Sequence, residues 1–149
     1  MEKQILPVPE LKHLDFLVGK WQTSGTIKAT TDNPAQEIKG TDSYEWALDG
    51  HFLLHQVEVL MGEEKTLTIE LIGSYDAANK TYAMRSFDNQ GNFATMQASI
   101  EREGVMKITG DKMRSTLSAS KDGQQMQAHW ERSEDGTTWV PWMDMQFSK

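Results

Sequence analysis

The chain contains no cysteine among its 149 residues. Disulfide bonds, thiolate metal sites and cysteine nucleophiles are therefore all excluded. A cysteine-free chain is typical of a reducing compartment, and residues 1–7 lack the apolar run of about 7–15 residues found in secretory signal peptides. No stretch approaches the ~18 apolar residues of a membrane-spanning helix. These absences together predict a cytoplasmic protein.

Positive charge is also scarce, because 15 lysines and arginines stand against 22 aspartates and glutamates, which gives a net charge of −7. Nucleic acids and anionic membranes both require a basic binding face, so we expect neither as a partner. The hydrophobic fraction of 38% is low, but it suits a β protein whose strands expose one face to water. A chain of 149 residues is long enough for one domain around a single core.

Sequence that favours helix is confined to one short segment. Pro7 and Pro9 disfavour a helix upstream, so residues 1–8 are predicted to form an N-terminal arm and residues 9–149 a single domain. A helix of two to three turns is predicted from Pro9, a favourable first helical residue, to Leu17, and a glycine two residues later provides a natural stop. Three leucines at a spacing of three residues share one face of this helix. They are Leu11, Leu14 and Leu17.

From Trp21 onward the apolar period changes to two, which is typical of strands. Hairpin turn signals such as Asp49-Gly50 and Asp122-Gly123 separate the strands and leave no room for helical crossovers. The sequence therefore predicts an all-β fold, an antiparallel up-and-down barrel of about ten strands, because a closed barrel leaves no exposed edge. The predicted strands cover residues 21–29, 38–47, 52–61, 66–75, 81–87, 93–101, 105–109, 114–120, 126–133 and 139–147.

Alternation along the predicted strands indicates which side chains face the barrel interior. Apart from Met1, all eight methionines can be placed on this inner face. Methionine is flexible and polarisable, so it suits surfaces that adapt to varied apolar ligands, and it also fills irregular cores. In the fourth strand the apolar alternates are predicted to face inward and Glu70 outward, whereas for residues 82–87 both orientations remain open. The inward set of the fourth strand is Leu67, Ile69, Leu71 and Tyr75.

One histidine is predicted to lie inside the barrel. His55 alternates with Val57, Val59 and Met61 and so shares their inner face. Six side chains are candidates for contact with a ligand in the lumen. They are His55, Met84, Met96, Met113, Trp130 and Met143.

No motif for chemistry accompanies His55. No second histidine stands at metal-ligand spacing, so neither a metal site nor a cofactor is predicted. The strained Gly-x-Ser-x-Gly elbow of a serine nucleophile is absent. Glu58 and Glu101, like Glu70, are predicted to lie on the polar outer face, which leaves no carboxylate pair for acid–base chemistry. No catalytic residue is therefore assigned.

The N-terminal segment resembles a known group of barrels. Residues 14–21 read Leu-Asp-Phe-Leu-Val-Gly-Lys-Trp and resemble the Gly-x-Trp opening of calycins, which include lipocalins, fatty-acid-binding proteins and nitrobindin-like domains. In calycins this tryptophan commonly closes the barrel and stacks against a basic side chain of a late strand. The resemblance implies that role for Trp21, with Arg132 as the cation over its ring.

Further motifs resemble an uncharacterised bacterial family that carries a domain-of-unknown-function label. This resemblance covers nearly the whole chain and implies a lipocalin-like barrel without implying an activity. The last strand lacks the Arg-x-Tyr pair with which fatty-acid-binding proteins hold a carboxylate, and His129 is predicted to point outward, unlike the haem-binding histidine of nitrobindin-like domains. The motifs are Leu48-Asp49-Gly50-His51-Phe52-Leu53, Ile72-Gly73-Ser74-Tyr75-Asp76, Phe87-Asp88-Asn89-x-Gly91 and Trp130-Glu131-Arg132-Ser133-x-Asp135-Gly136-x-x-Trp139.

Three functions remain open from the sequence. The leading interpretation is a barrel that binds a small, mostly apolar molecule in its interior without reacting with it. The second is a small enzyme, an isomerase or hydrolase, that uses His55 in the lumen. The third is a non-catalytic scaffold with a filled core that acts through its outer surface. A homodimer is compatible with all three.

Overall fold

The protein, described here over residues 4–149 by a computed structural model, forms a closed barrel of ten antiparallel strands. A 3₁₀ helix, Pro9–Leu17, precedes the barrel, and a second one, Leu48–Gly50, connects the second and third strands. The predicted barrel is confirmed, and every strand boundary lies within two residues of its predicted position. The strands are β1 (Gly19–Ile27), β2 (Gln36–Ala47), β3 (Phe52–Met61), β4 (Glu64–Asp76), β5 (Thr81–Asp88), β6 (Phe93–Arg102), β7 (Val105–Thr109), β8 (Met113–Ala119), β9 (Gln125–Arg132) and β10 (Val140–Ser148).

The barrel closes because its first strand pairs with both the second and the last. Each strand pairs with its neighbour in sequence, and β1 also pairs with β10 over six residue pairs. Glycine permits close approach at this seam, since a Cβ on Gly25 would clash with the backbone oxygen of Asp144. No helix within residues 4–149 has the length and apolar character needed to cross a membrane.

The N-terminal helix packs its leucines into the core. It is a 3₁₀ helix throughout, with three residues per turn, so side chains spaced by three lie directly above one another. This geometry explains how so short a helix buries Leu11, Leu14 and Leu17, which are 4% exposed or less. Upstream of it, residues 1–3 of the predicted arm lie outside the described residues, and Ile5 is exposed.

Trp21 lies fully buried next to this helix. Its indole Nε1 donates a hydrogen bond to the backbone oxygen of Leu17 at 2.8 Å, which ties the helix to the start of β1. The ammonium of Lys149 lies 4.8 Å from the centroid of the Trp21 ring. The last residue of the chain therefore covers the tryptophan that opens the first strand.

The predicted partner of Trp21 is corrected by this arrangement. Arg132 pairs with Val140 at the end of β9 that is far from Trp21. Its guanidinium lies 5.8 Å from the ring centroid of Trp142. The physical reason is the strand order: β1 hydrogen-bonds to β10 and not to β9. The side chain next to the indole is therefore that of Lys149, which follows β10.

The predicted orientation of β4 is wrong over most of its length. Leu67 and Ile69 are 40% and 49% exposed, whereas Glu70 and Ile72 are buried at 5% and 0%. The pairing register with β5 shifts between Gly73 and Asp76, and this shift changes which alternate residues face inward. Tyr75 therefore packs against the core although Leu67 and Ile69, which share its parity, face outward. In β5, for which the sequence left both orientations open, Tyr82 and Met84 are buried and therefore face inward.

Candidate functional site

The barrel interior contains a cavity of about 240 Å³ with a mostly apolar wall. Six methionines contribute to that wall and are called the cavity methionines below. Because methionine side chains bend easily, they let the cavity adapt its shape. The cavity methionines are Met61, Met84, Met96, Met106, Met143 and Met145.

Three charged side chains meet on one side of this cavity. Asp42, His55 and Glu70 lie on the adjacent strands β2, β3 and β4, and the register places His55 directly opposite Glu70. The His55 ring nitrogen Nε2 is 2.6 Å from Oδ2 of Asp42, and Nδ1 is 3.0 Å from Oε1 of Glu70. Thr23 on β1 adds a further hydrogen bond, in which its hydroxyl donates to Oδ1 of Asp42 at 2.5 Å. We call these three charged residues the acidic cluster.

The geometry of the acidic cluster makes His55 a cation. A carboxylate only accepts hydrogen bonds, so both ring nitrogens must donate, and only the imidazolium form has two N–H groups. Burial is the largest single influence on the pKa of His55 and lowers it, but the hydrogen bonds and charges of Asp42 and Glu70 together outweigh it and raise the pKa to about 9. With two carboxylates and one imidazolium, the cluster carries a net charge of −1.

Tyr44 fixes the plane of the imidazolium. Its ring stacks on the His55 ring with centroids 4.0 Å apart and planes within 6° of parallel. Burial, and then the negative charges of Asp42 and Glu70, raise the pKa of the Tyr44 phenol well above its usual range, so the phenol stays neutral. Stacking and two charge-assisted hydrogen bonds therefore hold His55 in one orientation.

The rest of the cavity wall carries a few hydroxyl groups. Thr68 lies on β4, Ser86 on β5 and Ser115 on β8. Ser115 is 5% exposed, and its Oγ is buried with no hydrogen-bond partner within residues 4–149. A buried hydroxyl without a partner is unusual in a native protein, so Ser115 marks a polar contact point that the protein itself does not use.

Five of the six predicted lumen residues lie on the cavity wall, namely His55, Met84, Met96, Trp130 and Met143. Met113 does not. It stands at the first position of β8 and is half-buried, where its side chain and that of Met96 both approach Gly110.

Sequence reasoning missed three polar residues of this site, Asp42, Glu70 and Ser115. A signal for Asp42 existed, because it alternates with Ile38 and Tyr44, which both face inward. Across the described residues 4–149, no group of three His, Asp or Glu side chains is arranged to hold a metal ion.

We expect the imidazole of His55 to titrate near pH 9, far above the usual pKa of 6.5. Because the folded-state pKa is the higher one, the stabilisation is complete below about pH 6.5 and is lost as pH rises through about 9. The loss amounts to about 3 kcal/mol, since each unit of pKa shift corresponds to ~1.36 kcal/mol. Nitrogen-15 NMR of the ring, together with urea unfolding between these pH values, measures both quantities. A ring that titrates near 6.5 contradicts the cluster.

Comparison with solved structures shows the same architecture in other proteins. Rv2717c from M. tuberculosis matches with a TM-score of 0.71 and 12% identity, over 96% of this chain and 98% of that chain. The S-type phycobiliprotein lyase CPES from Guillardia theta matches with a TM-score of 0.62 and 7% identity, over 93% and 90% respectively. At these identities the likeness concerns the fold alone.

No curated protein matches the chain in sequence. A family model described as a protein of unknown function, DUF1579, matches residues 6–149, which is nearly the whole chain and agrees with the resemblance found in its motifs. The chain belongs to the DUF1579 family.

Proposed function

We propose that the barrel binds a small, mostly apolar molecule in its interior and does not react with it. The observation that carries this proposal is an interior cavity of about 240 Å³ in which the cavity methionines surround a single charged cluster. Ligand sites typically combine an apolar wall with a few polar groups that orient the ligand. A dry cavity of about 150 Å³ already admits benzene, so this one has room for a two-ring molecule.

The state of His55 favours binding over catalysis. A general base needs a free lone pair within hydrogen-bond reach of the substrate proton. Both ring nitrogens of His55 instead face carboxylates, at 2.6 Å and 3.0 Å, and neither offers a lone pair to the cavity. An isomerase or hydrolase that relies on His55 would have to break this arrangement first.

The empty volume favours a binder over a scaffold with a filled core. Unfilled core volume destabilises a protein, because the side chains around it lose packing contacts. A barrel with a purely structural role would gain stability from larger side chains at positions such as Ala128, which lies on the cavity wall. Retaining the space is understandable if a ligand occupies it.

The proposal predicts saturable binding of a small neutral fluorophore such as 2-naphthylmethanol. Met96→Glu is expected to abolish the binding, because an unpaired charge in an apolar cavity is strongly disfavoured. Ile69→Glu is the matched control: Ile69 points outward from β4 and is 49% exposed, so binding should persist. Fluorescence titration measures the affinity of each variant.

A second variant tests the proposal independently of whether Met96→Glu folds. Ala128→Leu adds volume to the cavity wall without charge, and it should weaken binding while the fold is retained by circular dichroism. The absence of saturable binding to the wild-type protein would contradict the proposal, as would equal losses in Ile69→Glu and Met96→Glu.

A further inference from the structure

We infer that the interior ligand carries a cationic amine, held by the carboxylate of Glu70 while its apolar body lies against the cavity methionines. This inference rests on the proposed function and adds the chemical class of the ligand. It follows from the charge of the acidic cluster, from its unused hydrogen-bonding capacity and from a second polar group on the cavity wall.

The charge of the cavity wall is not balanced by the protein. Asp42 and Glu70 bring two negative charges and His55 one positive charge, and neither lysine nor arginine contributes to the wall. Asp42 and Glu70 are each 5% exposed, so water screens the excess charge poorly. Burying an uncompensated charge is costly, and a ligand cation removes that cost when it enters.

The hydrogen bonds that the two carboxylates already make point to Glu70 as the one that receives the ligand. Both oxygens of Asp42 are engaged, one by Thr23 and the other by His55. Glu70 accepts a hydrogen bond from His55 through Oε1 at 3.0 Å, which leaves Oε2 as the carboxylate oxygen for a further donor. A primary ammonium has three N–H donors and a positive charge, so it satisfies this oxygen and neutralises the cluster at once.

Ser115 provides the second, independent indication of a ligand. It lies on β8, four strands away from Glu70 on β4 around the ten-stranded barrel, and both residues contribute to the same cavity wall. Its buried hydroxyl has no partner and can donate or accept. The two groups stand apart on the wall, with the cavity methionines contributing the apolar surface between them. This arrangement suits a small amphipathic amine, on which a second polar atom would pair with Ser115.

Three probes of nearly equal shape test the inference: 2-naphthylmethylamine, 2-naphthylmethanol and 2-naphthoate. A hydrogen bond between charged partners in a buried site should make the amine bind at least about tenfold more tightly than the alcohol. The carboxylate should bind most weakly, because it meets a cluster of like charge. Fluorescence titration at one ionic strength gives the three dissociation constants.

Glu70→Gln should remove the preference of the amine over the alcohol, since the amide has no charge. Glu58→Gln is the matched control, because Glu58 lies on the outer wall of β3 with its side chain 59% exposed, next to Lys65. It removes the same charge from the molecule and should leave the preference intact. A change in both variants would trace the preference to the net charge of the protein and overturn the inference.

The wild-type protein supplies a readout that does not depend on how Glu70→Gln folds. The amine should shift the Nδ1–H resonance of His55, which hydrogen-bonds to Glu70, more than the alcohol does. Equal affinities for amine and alcohol, or amine binding without this shift, overturn the inference and leave the proposed function standing. Failure of all three probes to bind overturns both.

Discussion

Replacing Trp21 with alanine is expected to lower the free energy of unfolding by about 3–5 kcal/mol, the range for a buried large aromatic. The indole is fully buried, and its Nε1 holds the N-terminal helix through the backbone oxygen of Leu17. Its loss therefore removes core packing and the hydrogen bond that ties the helix to β1. Urea unfolding of the wild type and the variant measures the difference.

A double-mutant cycle tests which cation covers the indole. Lys149→Ala should have a much smaller effect, because Lys149 is exposed and a solvated cation over an aromatic ring contributes only about 0.5–1 kcal/mol. Combined with Trp21→Ala, it should cost less than the sum of the two single effects, since the side chains touch. Arg132→Ala should be additive with Trp21→Ala. Coupling to Arg132 and additivity with Lys149 would reverse the assignment.

Replacing His55 with leucine is expected to lower the free energy of unfolding by about 3–5 kcal/mol at neutral pH. The change leaves Asp42 and Glu70 buried without the cation between them, and removing one partner of a buried ion pair has an effect of this size. Lowering the pH should recover part of the loss, because protonation of either carboxylate removes a buried charge. Urea unfolding at several pH values measures both effects.

His129→Leu is the matched control for this variant. His129 also contacts a carboxylate, with Nδ1 2.7 Å from Oδ1 of Asp144, but its side chain is 62% exposed. Exposed ion pairs contribute little, so the expected change is within about 1 kcal/mol. Similar losses for His55→Leu and His129→Leu would show that burial of the acidic cluster has no energetic consequence.

Local turn chemistry explains why the fold could be predicted from the sequence. Pairs such as Asp49-Gly50 and Asp122-Gly123 lie at the strand ends, where Gly50 and Gly123 adopt φ angles of +85° and +72°. Turns at such regular spacing admit only neighbouring antiparallel strands. The spacing of three between the leucines of the N-terminal helix is an equally local signal: it predicts a helix, and the structure shows that this helix is 3₁₀ throughout.

The orientation of β4 could not be predicted because both of its faces carry apolar residues. Leu67 and Ile69 lie on the outer wall, and Phe87 and Phe93 are exposed on the two strands that follow. Period-two alternation assigns such residues to the interior by default, and nothing in the local sequence reveals the register shift after Gly73. The buried glutamate was therefore assigned to the wrong side.

The candidate site was predictable only in its apolar part. His55 could be placed inside because its alternates Val57 and Val59 are strongly apolar. Its two carboxylate partners come from other strands, and acidic residues are rarely buried unless paired, so each alone is expected at the surface. Only the cross-strand register shows that Asp42 and Glu70 compensate the same histidine.

Methyl NMR of the methionines during titration with 2-naphthylmethanol tests interior binding most directly. The aromatic ring of a ligand in the cavity should produce saturable shifts in the methyl resonances of the six cavity methionines. Met113 and Met126 lie off this cavity wall and serve as internal controls, with much smaller shifts. The account predicts shifts that separate these two groups and saturate together with fluorescence. Shifts confined to Met113 and Met126, or none that saturate, would contradict it.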